Sequence, residues 1–328
     1  MKDSNIAMQL RFIGLFFLLL VSTTAAKAES IDLKINSMAS ATAAKTLVTN
    51  YLKKLLEERS HGRIHVQVTN GPYMTADQAV RDLKQQPDQI IIPEIRDLSQ
   101  LVPYLKVYEL PFLYRDRQHL HQIIDQKIGL DLLSASVPKS LKLLGIWEKG
   151  TNYLFSDSAL PAAVAVTDKS LRGATQQNST FYFHTISPCL SPDLGADRKH
   201  TSCCETTLPE AVLQPVENRL ANLTLTRHSI ASSALLTDMF FWQHLAEDLK
   251  VIISDAVKDA AIYARELAQQ ADQDALATLH GQGRLRIHQL SHNQRQLWRN
   301  KMLALYSATN DEVEKKLIEK IIHYQPVN

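Results

Sequence analysis

The 328-residue chain has only three cysteines, Cys189, Cys203 and Cys204, too few for a fold built on disulfides. Their odd number leaves at least one thiol unpaired or paired between chains. An excess of charge of one sign is also missing. Thirty-six basic residues against 34 acidic give a net charge of +2, and no basic tract is interleaved with aromatics. A nucleic-acid partner is therefore not expected. There is no G-x-S-x-G elbow, Walker loop, H-E-x-x-H helix or dinucleotide fingerprint, so no motif points to an enzyme and no cofactor is implied. The acidic pairs Glu57 with Glu58 and Asp272 with Asp274 read as ordinary solvated faces of helices.

A membrane-spanning run is absent from the amino-terminal region too. The apolar stretch Phe12 to Val21 is ten residues long, against about 20 for a spanning helix. Lys2 and Arg11 precede it, and the small-residue segment ending Ala26-Lys27-Ala28 follows. This is the pattern of a secretory signal peptide, residues 1–28, cleaved after Ala28. No cysteine follows the apolar run, which excludes lipid attachment there. The mature chain is expected free in an oxidising compartment.

What is present is ordinary globular chemistry, 45% hydrophobic and 21% charged residues, in a chain too long for one small core; two lobes are the default. Ile31, Leu33 and Ile35 alternate as in a half-buried strand. Ala44, Leu47, Tyr51, Leu52, Leu55 and Leu56 hold a helical stripe to Arg59, which Gly62 ends. Ile64, Val66 and Val68 give a second strand, and a helix over about 76–84 leads to the apolar run Gln89 to Ile92. That run reads as a parallel strand covered on both faces. Ligands of open α/β sheets sit beyond the carboxyl ends of strands, which brings Glu94 and Arg96 to a cleft; a solvated loop pair is the alternative. Leu141 to Ile146 is a further strand candidate.

The most distinctive stretch is Glu109 to Leu133. Pro111 fixes φ and removes a donor, so Leu110, Phe112, Leu113 and Tyr114 are expected to leave a strand and pack as a tight corner. Asp116 then caps a helix striped by Leu120, Ile123, Ile124, Ile128 and Leu132. A long helix from about Ala246 to His280 is stopped by Gly281 and Gly283. Leu285 and Ile287 form a short strand, and Ser291 with Gln294 makes a capping box. Val313, Leu317, Ile321 and Ile322 stripe the last helix.

The wording LPFLYRDRQHLH…IGLDLL, followed by LGIWEKG (Leu144 to Gly150) and DKSLRG (Asp168 to Gly173), resembles the solute-binding subunits of tripartite ATP-independent periplasmic (TRAP) transporters. The likeness covers most of 30–175 and 211–306. It implies an α/β, two-lobed periplasmic binding protein of the type II kind, with a ligand cleft between the lobes and long C-terminal helices. Residues 29–150 with 228–262 would form the first lobe, and 151–227 with 263–328 the second. The implied function is capture of a small organic acid and its delivery to membrane permease subunits, by a monomer.

The resemblance also carries ligand positions. Where the family has an arginine two residues past Gly150, this chain has Asn152. Four residues past Gly173, where a family arginine pairs with the substrate carboxylate, stands Gln177, an amide without charge. VENRLAN (Val216 to Asn222) is similar to the family's QENPLSN, which gives Asn218 as a ligand contact and Arg219, in the proline place, as a substitute cation. The segment from Gln177 to Val212, interrupted by Pro188, Pro192 and Pro209, lacks a helical stripe, and the chain is about a dozen residues shorter than the family before Thr226. A degenerate or repurposed product without a transport ligand is the alternative, and a secreted enzyme ranks below both. His184, Cys189, His200, Cys203 and Cys204 offer thiolate and imidazole in one segment, but H-x-x-C-C is no recognised metal signature.

Overall fold

A computed structural model describes residues 30–38, 43–69, 71, 75–99, 101–125, 137–157, 159, 203–214, 216, 220–306 and 311–324. The signal segment, Gln177, Asn218, Arg219, His184, Cys189 and His200 lie outside the described residues.

The alternation at the start of the mature chain produces strand β1 (Ile31–Asn36), with Leu33 and Ile35 buried. Helix α1 (Ala43–Arg59) returns the chain, and β2 (Ile64–Thr69) lies parallel to β1 in the register Ile31 opposite Ile64. The buried stripe of α1 is Val48, Leu52, Leu55 and Leu56; Leu47, expected on it, is 50% exposed because it points away from the sheet, about 100° around the helix from Val48. Helix α2 (Ala76–Gln85), capped by Thr75, leads to β3 (Gln89–Ile91), parallel to β1. On its other edge β3 meets β6 (Asn222–Asp238) antiparallel, so the surrounding sheet is mixed and not purely parallel.

A short helix α3 (Ile95–Leu98) and a 3-10 helix (Pro103–Glu109) follow. The Pro111 corner therefore leaves a 3-10 helix and not a strand. Phe112 adopts φ 57°, a left-handed value that costs an ordinary residue about 1–2 kcal/mol. Full burial of its ring, about 6 Å from His228 and Trp298, contributes about 1.5–3 kcal/mol and offsets that strain. Asp116 caps α4 (Arg117–Asp125), its Oδ1 accepting from the His119 amide at 2.8 Å. Ile128 and Leu132 lie outside the described residues.

The Leu141–Ile146 strand proves to be the start of a 16-residue strand, β4 (Leu141–Ser156), antiparallel to the 17-residue β6 along its length with three register irregularities. Strand β5 (Cys203–Thr207), which contains two of the cysteines, pairs with the far end of β4. Helix α5 (Leu208–Leu213) follows; Pro209 sits in its first turn, where a missing amide costs nothing, so it begins a helix instead of interrupting one. Helix α6 (Met239–His244) is capped by Asp238. The long helix α7 (Glu247–Gln282) runs through Gly281 and ends at Gly283, whose φ of 65° is the left-handed cap. Strand β7 (Arg286–Gln289) pairs parallel with the start of β6. Helices α8 (His292–Tyr306), behind the Ser291–Gln294 capping box, and α9 (Glu312–Ile322) close the described chain. Val313, expected on the last apolar stripe, is 55% exposed, and Ile318 takes the buried place.

The sheet order is β2-β1-β3-β6-β4-β5, with β7 also on β6. Because β4 and β6 span the whole sheet, they carry it from a first half, edged by β2, into a second half, edged by β5 and β7. One core packs α2, α3, α4, α8 and α9 against one sheet face; a second packs α1 and α7 against the other; a third fills the second half around Phe155, Leu223 and Leu279. The C-terminal helices thus bury Trp298, Met302 and Tyr306 in the first-half core, and the Tyr306 hydroxyl donates to the Pro111 carbonyl at 2.8 Å. Gly145 leaves room for α7 against the sheet: a Cβ there would meet Val257 Cγ1 at 2.6 Å.

Candidate functional site

The polar centre of the molecule lies where β4 and β6 pass from one half to the other. Strand β3 ends at Ile91, and two residues later the chain turns so that Glu94 bridges to Ser233 of β6 and starts α3. This puts Glu94 and Arg96 beyond the carboxyl end of a sheet strand, as expected. From the facing half come Lys149 and Asn152 of β4, Glu205 of β5, Glu210 of α5 and His228 and Ser229 of β6.

Two polar chains link the halves. In the first, Lys149 Nζ lies 2.6 Å from Glu94 Oε1 and 2.5 Å from Glu210 Oε1, while Thr206 Oγ1 donates to Glu210 at 3.0 Å. Burial alone would lower the Lys149 pKa, but the two carboxylates outweigh it and hold the ammonium above its usual range. Burial likewise acts to raise Glu210, and Lys149 reverses it, leaving the carboxyl below its ordinary value. In the second, Arg96 Nη2 stands 3.8 Å from Glu205 Oε1. That oxygen lies 3.1 Å from His228 Nε2 and accepts from Ser229 Oγ at 3.3 Å. Asn152 Nδ2 donates to Ser229 Oγ at 3.0 Å, and Thr226 Oγ1 lies 2.6 Å from the other imidazole nitrogen.

Burial pushes the Glu205 carboxyl up, yet the His228 hydrogen bond and the His228, Arg96 and Ser229 neighbours more than compensate, so it stays ionised below the usual carboxylate range. Arg96 is 48% exposed at its side chain, so its guanidinium reaches the mouth of the cleft; four surrounding carboxylates, Glu205 first, outweigh the opposing effect of burial and keep it protonated. Behind it, Glu109 accepts from the Ser232 amide at 2.9 Å. Burial raises its pKa to about 7, against the lowering effect of Arg96 and that amide. Lys45, donating to the Ile92 carbonyl at 2.9 Å, is lowered to about 8 by burial, which prevails over attraction from Glu94.

Of the six expected ligand positions, Arg96, Glu94 and Asn152 are brought to this cluster, Arg96 and Asn152 through Glu205 and Ser229. Gln177, Asn218 and Arg219 lie outside the described residues. Sequence reasoning missed Lys149, Glu205, Glu210, Glu109 and His228. Lys149 had a usable signal, since it directly precedes the Gly150 of the quoted motif; Glu205 had none, because it stands in the segment without periodicity. Among the described residues no group of three histidine, cysteine, aspartate or glutamate side chains is arranged to hold a metal ion.

A mixed sheet shared by two halves, with charged and amide donors at their junction, defines an α/β binding protein with a cleft between lobes. The chain belongs to the bacterial extracellular solute-binding proteins of family 7, whose model matches residues 35–160 and 205–312. It is 22% identical over 309 residues to the C4-dicarboxylate-binding protein DctB of Bacillus subtilis, covering 90% of this chain and 86% of that one. It is 19% identical over 319 residues to the C4-dicarboxylate-binding periplasmic protein DctP of Rhodobacter capsulatus, covering 94% and 95%. Among solved structures, a TRAP periplasmic solute-binding protein from Sulfurospirillum deleyianum with bound succinate matches with TM-score 0.67 at 21% identity, over 90% of this chain and all of that one. An open, ligand-free TRAP protein from Marinobacter aquaeolei matches with TM-score 0.72 at 14% identity, over 89% and 99%. Among the described residues no helix is long and apolar enough to cross a membrane.

Proposed function

We propose that this chain is the solute-binding subunit of a TRAP transporter, exported by cleavage after Ala28, which captures a small organic acid between its halves and passes it to membrane permease subunits. The observation that carries the reading is the Arg96 guanidinium, half exposed at the junction and, among the described residues, paired only loosely, with Glu205 at 3.8 Å. A carboxylate entering the cleft can take bidentate hydrogen bonds from such a group, and closure of the halves strengthens them by excluding water. Asn152 and Ser229 supply neutral donors beside it. In this proposal Gln177, Asn218 and Arg219, the positions carried by the resemblance, complete the set, and Glu94 accepts from a ligand hydroxyl. Relatives that bind succinate, L-malate, galactonate and D-glucuronate support the ligand class.

Calorimetry of the mature protein against succinate, malate, galactonate and glucuronate tests the proposal. At least one acid should bind saturably, and Arg96→Met should weaken it tenfold or more, since a charged hydrogen bond contributes about 1.5–3 kcal/mol. An absence of binding at millimolar ligand, or binding indifferent to Arg96, would refute it.

A further inference from the structure

On the α7 and α8 side of the strand crossing lies a second concavity, a cavity of about 520 Å³, within the size range of metabolite sites. Its apolar surface comes from Leu225 and Ile230 of β6, Leu276 of α7 and Leu290 ahead of α8, and Gln269 and Gln273 of α7 add amides to the lining. Four arginines reach it: Arg115 and Arg117 from the turn into α4, Arg227 from β6 and Arg295 from α8.

Their charges are not equally compensated. Arg117 lies 2.8 Å from Glu148 and 3.5 Å from Asp272 and donates to Thr151 Oγ1 at 2.7 Å. Asp116 is turned toward the α4 amides. Arg295 lies over the Phe112 ring at 5.2 Å and donates to the Thr226 and Arg227 carbonyls at 2.5 and 3.1 Å, so its partners are neutral. Among the described residues, no carboxylate forms an ion pair with Arg115, Arg227 or Arg295. Burial first, then the neighbouring Arg227 and Arg299, push the Arg295 pKa down against the opposing pull of Asp116. Arg227 also stands at φ 45°, a strained value for a branchless but bulky side chain, and strain of this kind collects where a side chain must be aimed.

We infer that this cavity is a second ligand site, which shares with the cleft only the wall formed by His228 and Ser229, for an organic anion in which a carboxylate is joined to a compact apolar or aromatic body. The guanidinium groups at the rim would hold the carboxylate and the leucine and isoleucine walls the body. Inorganic anions lack the second half of that match, and neutral aromatics lack the first.

The probe is 2-naphthoate, titrated calorimetrically into the mature full-length protein, with 2-naphthol and inorganic phosphate as the partial matches. Arg227→Gly removes the guanidinium while keeping a residue that tolerates positive φ, and Arg115→Ala changes an exposed side chain, so both variants should melt no lower than the parent. Saturable naphthoate binding is expected, weakened about tenfold by each variant, at least tenfold weaker for naphthol and phosphate, and unaffected by Arg96→Met or by excess succinate. The inference is overturned by an absence of saturable binding, by affinities unchanged in both variants, by phosphate or naphthol binding as well as naphthoate, or by displacement with succinate.

Discussion

Glu205 places a permanent negative charge inside a cleft meant for anions, and its removal has a calculable effect. A ligand carboxylate docked on the open side of Arg96 would lie on the order of 6 Å from Glu205, one hydrogen-bond length beyond the 3.8 Å contact. Two unit charges at that separation repel by roughly 2–3 kcal/mol at an effective dielectric near 20. Screening at the exposed mouth leaves on the order of 1.4 kcal/mol, a factor of about ten in affinity. Glu205→Gln keeps an oxygen to accept from His228 and Ser229 while deleting the charge, so it should tighten organic-acid binding about tenfold in calorimetry. The folded state should lose about 1 kcal/mol, the difference between charged and neutral hydrogen bonds. Because the folded Glu205 is held ionised below the usual carboxylate range, the gain should persist at every pH above about 5. Weaker ligand binding by a normally folded Glu205→Gln protein would mean that the carboxylate accepts from the ligand, and the repulsion argument would fail.

Lys149→Met should remove the bridge between the halves and leave Glu94 and Glu210 facing each other. The sites are only partly buried, so the loss is expected at about 2 kcal/mol in urea unfolding, below the 3–5 kcal/mol of a fully buried broken pair; an unchanged midpoint would refute the bridge. Glu109 gives a pH dependence of defined sign. With a folded pKa of about 7, it stays protonated in the native protein while the unfolded carboxyl, near 4.3, has ionised; its stabilising contribution is complete below the unfolded value and is lost as pH rises through 7. Glu109→Gln should therefore gain on the parent by roughly 2–3 kcal/mol between pH 4.5 and 8 in urea unfolding, and a constant difference would show that Glu109 is ionised in the fold.

The first half was legible because each element signals itself. The stripe of α4, the alternation of β1 and β2, the N-cap at Asp116 and the capping box at Ser291 are local patterns legible in a short window of sequence. Strand β4 was legible only over Leu141–Ile146, and the full lengths of β4 and β6 escaped because both of their faces are covered, which erases alternation: residues 222–226 and 228–230 of β6 are all buried, whether polar or apolar. A 16-residue strand whose sequence includes Glu148, Lys149, Thr151 and Asn152 does not look like a strand when read alone, because those polar groups find partners only after α4, α5 and α7 are in place. The same holds for the cleft. Glu94 and Arg96 were readable from the rule that ligands gather beyond strand ends, but Glu205 and Glu210 reach them from more than a hundred residues away. Since the junction takes a few residues from each of α3, β4, β5, β6 and α5, no short window of sequence contains it, and its charge balance depends on the tertiary fold.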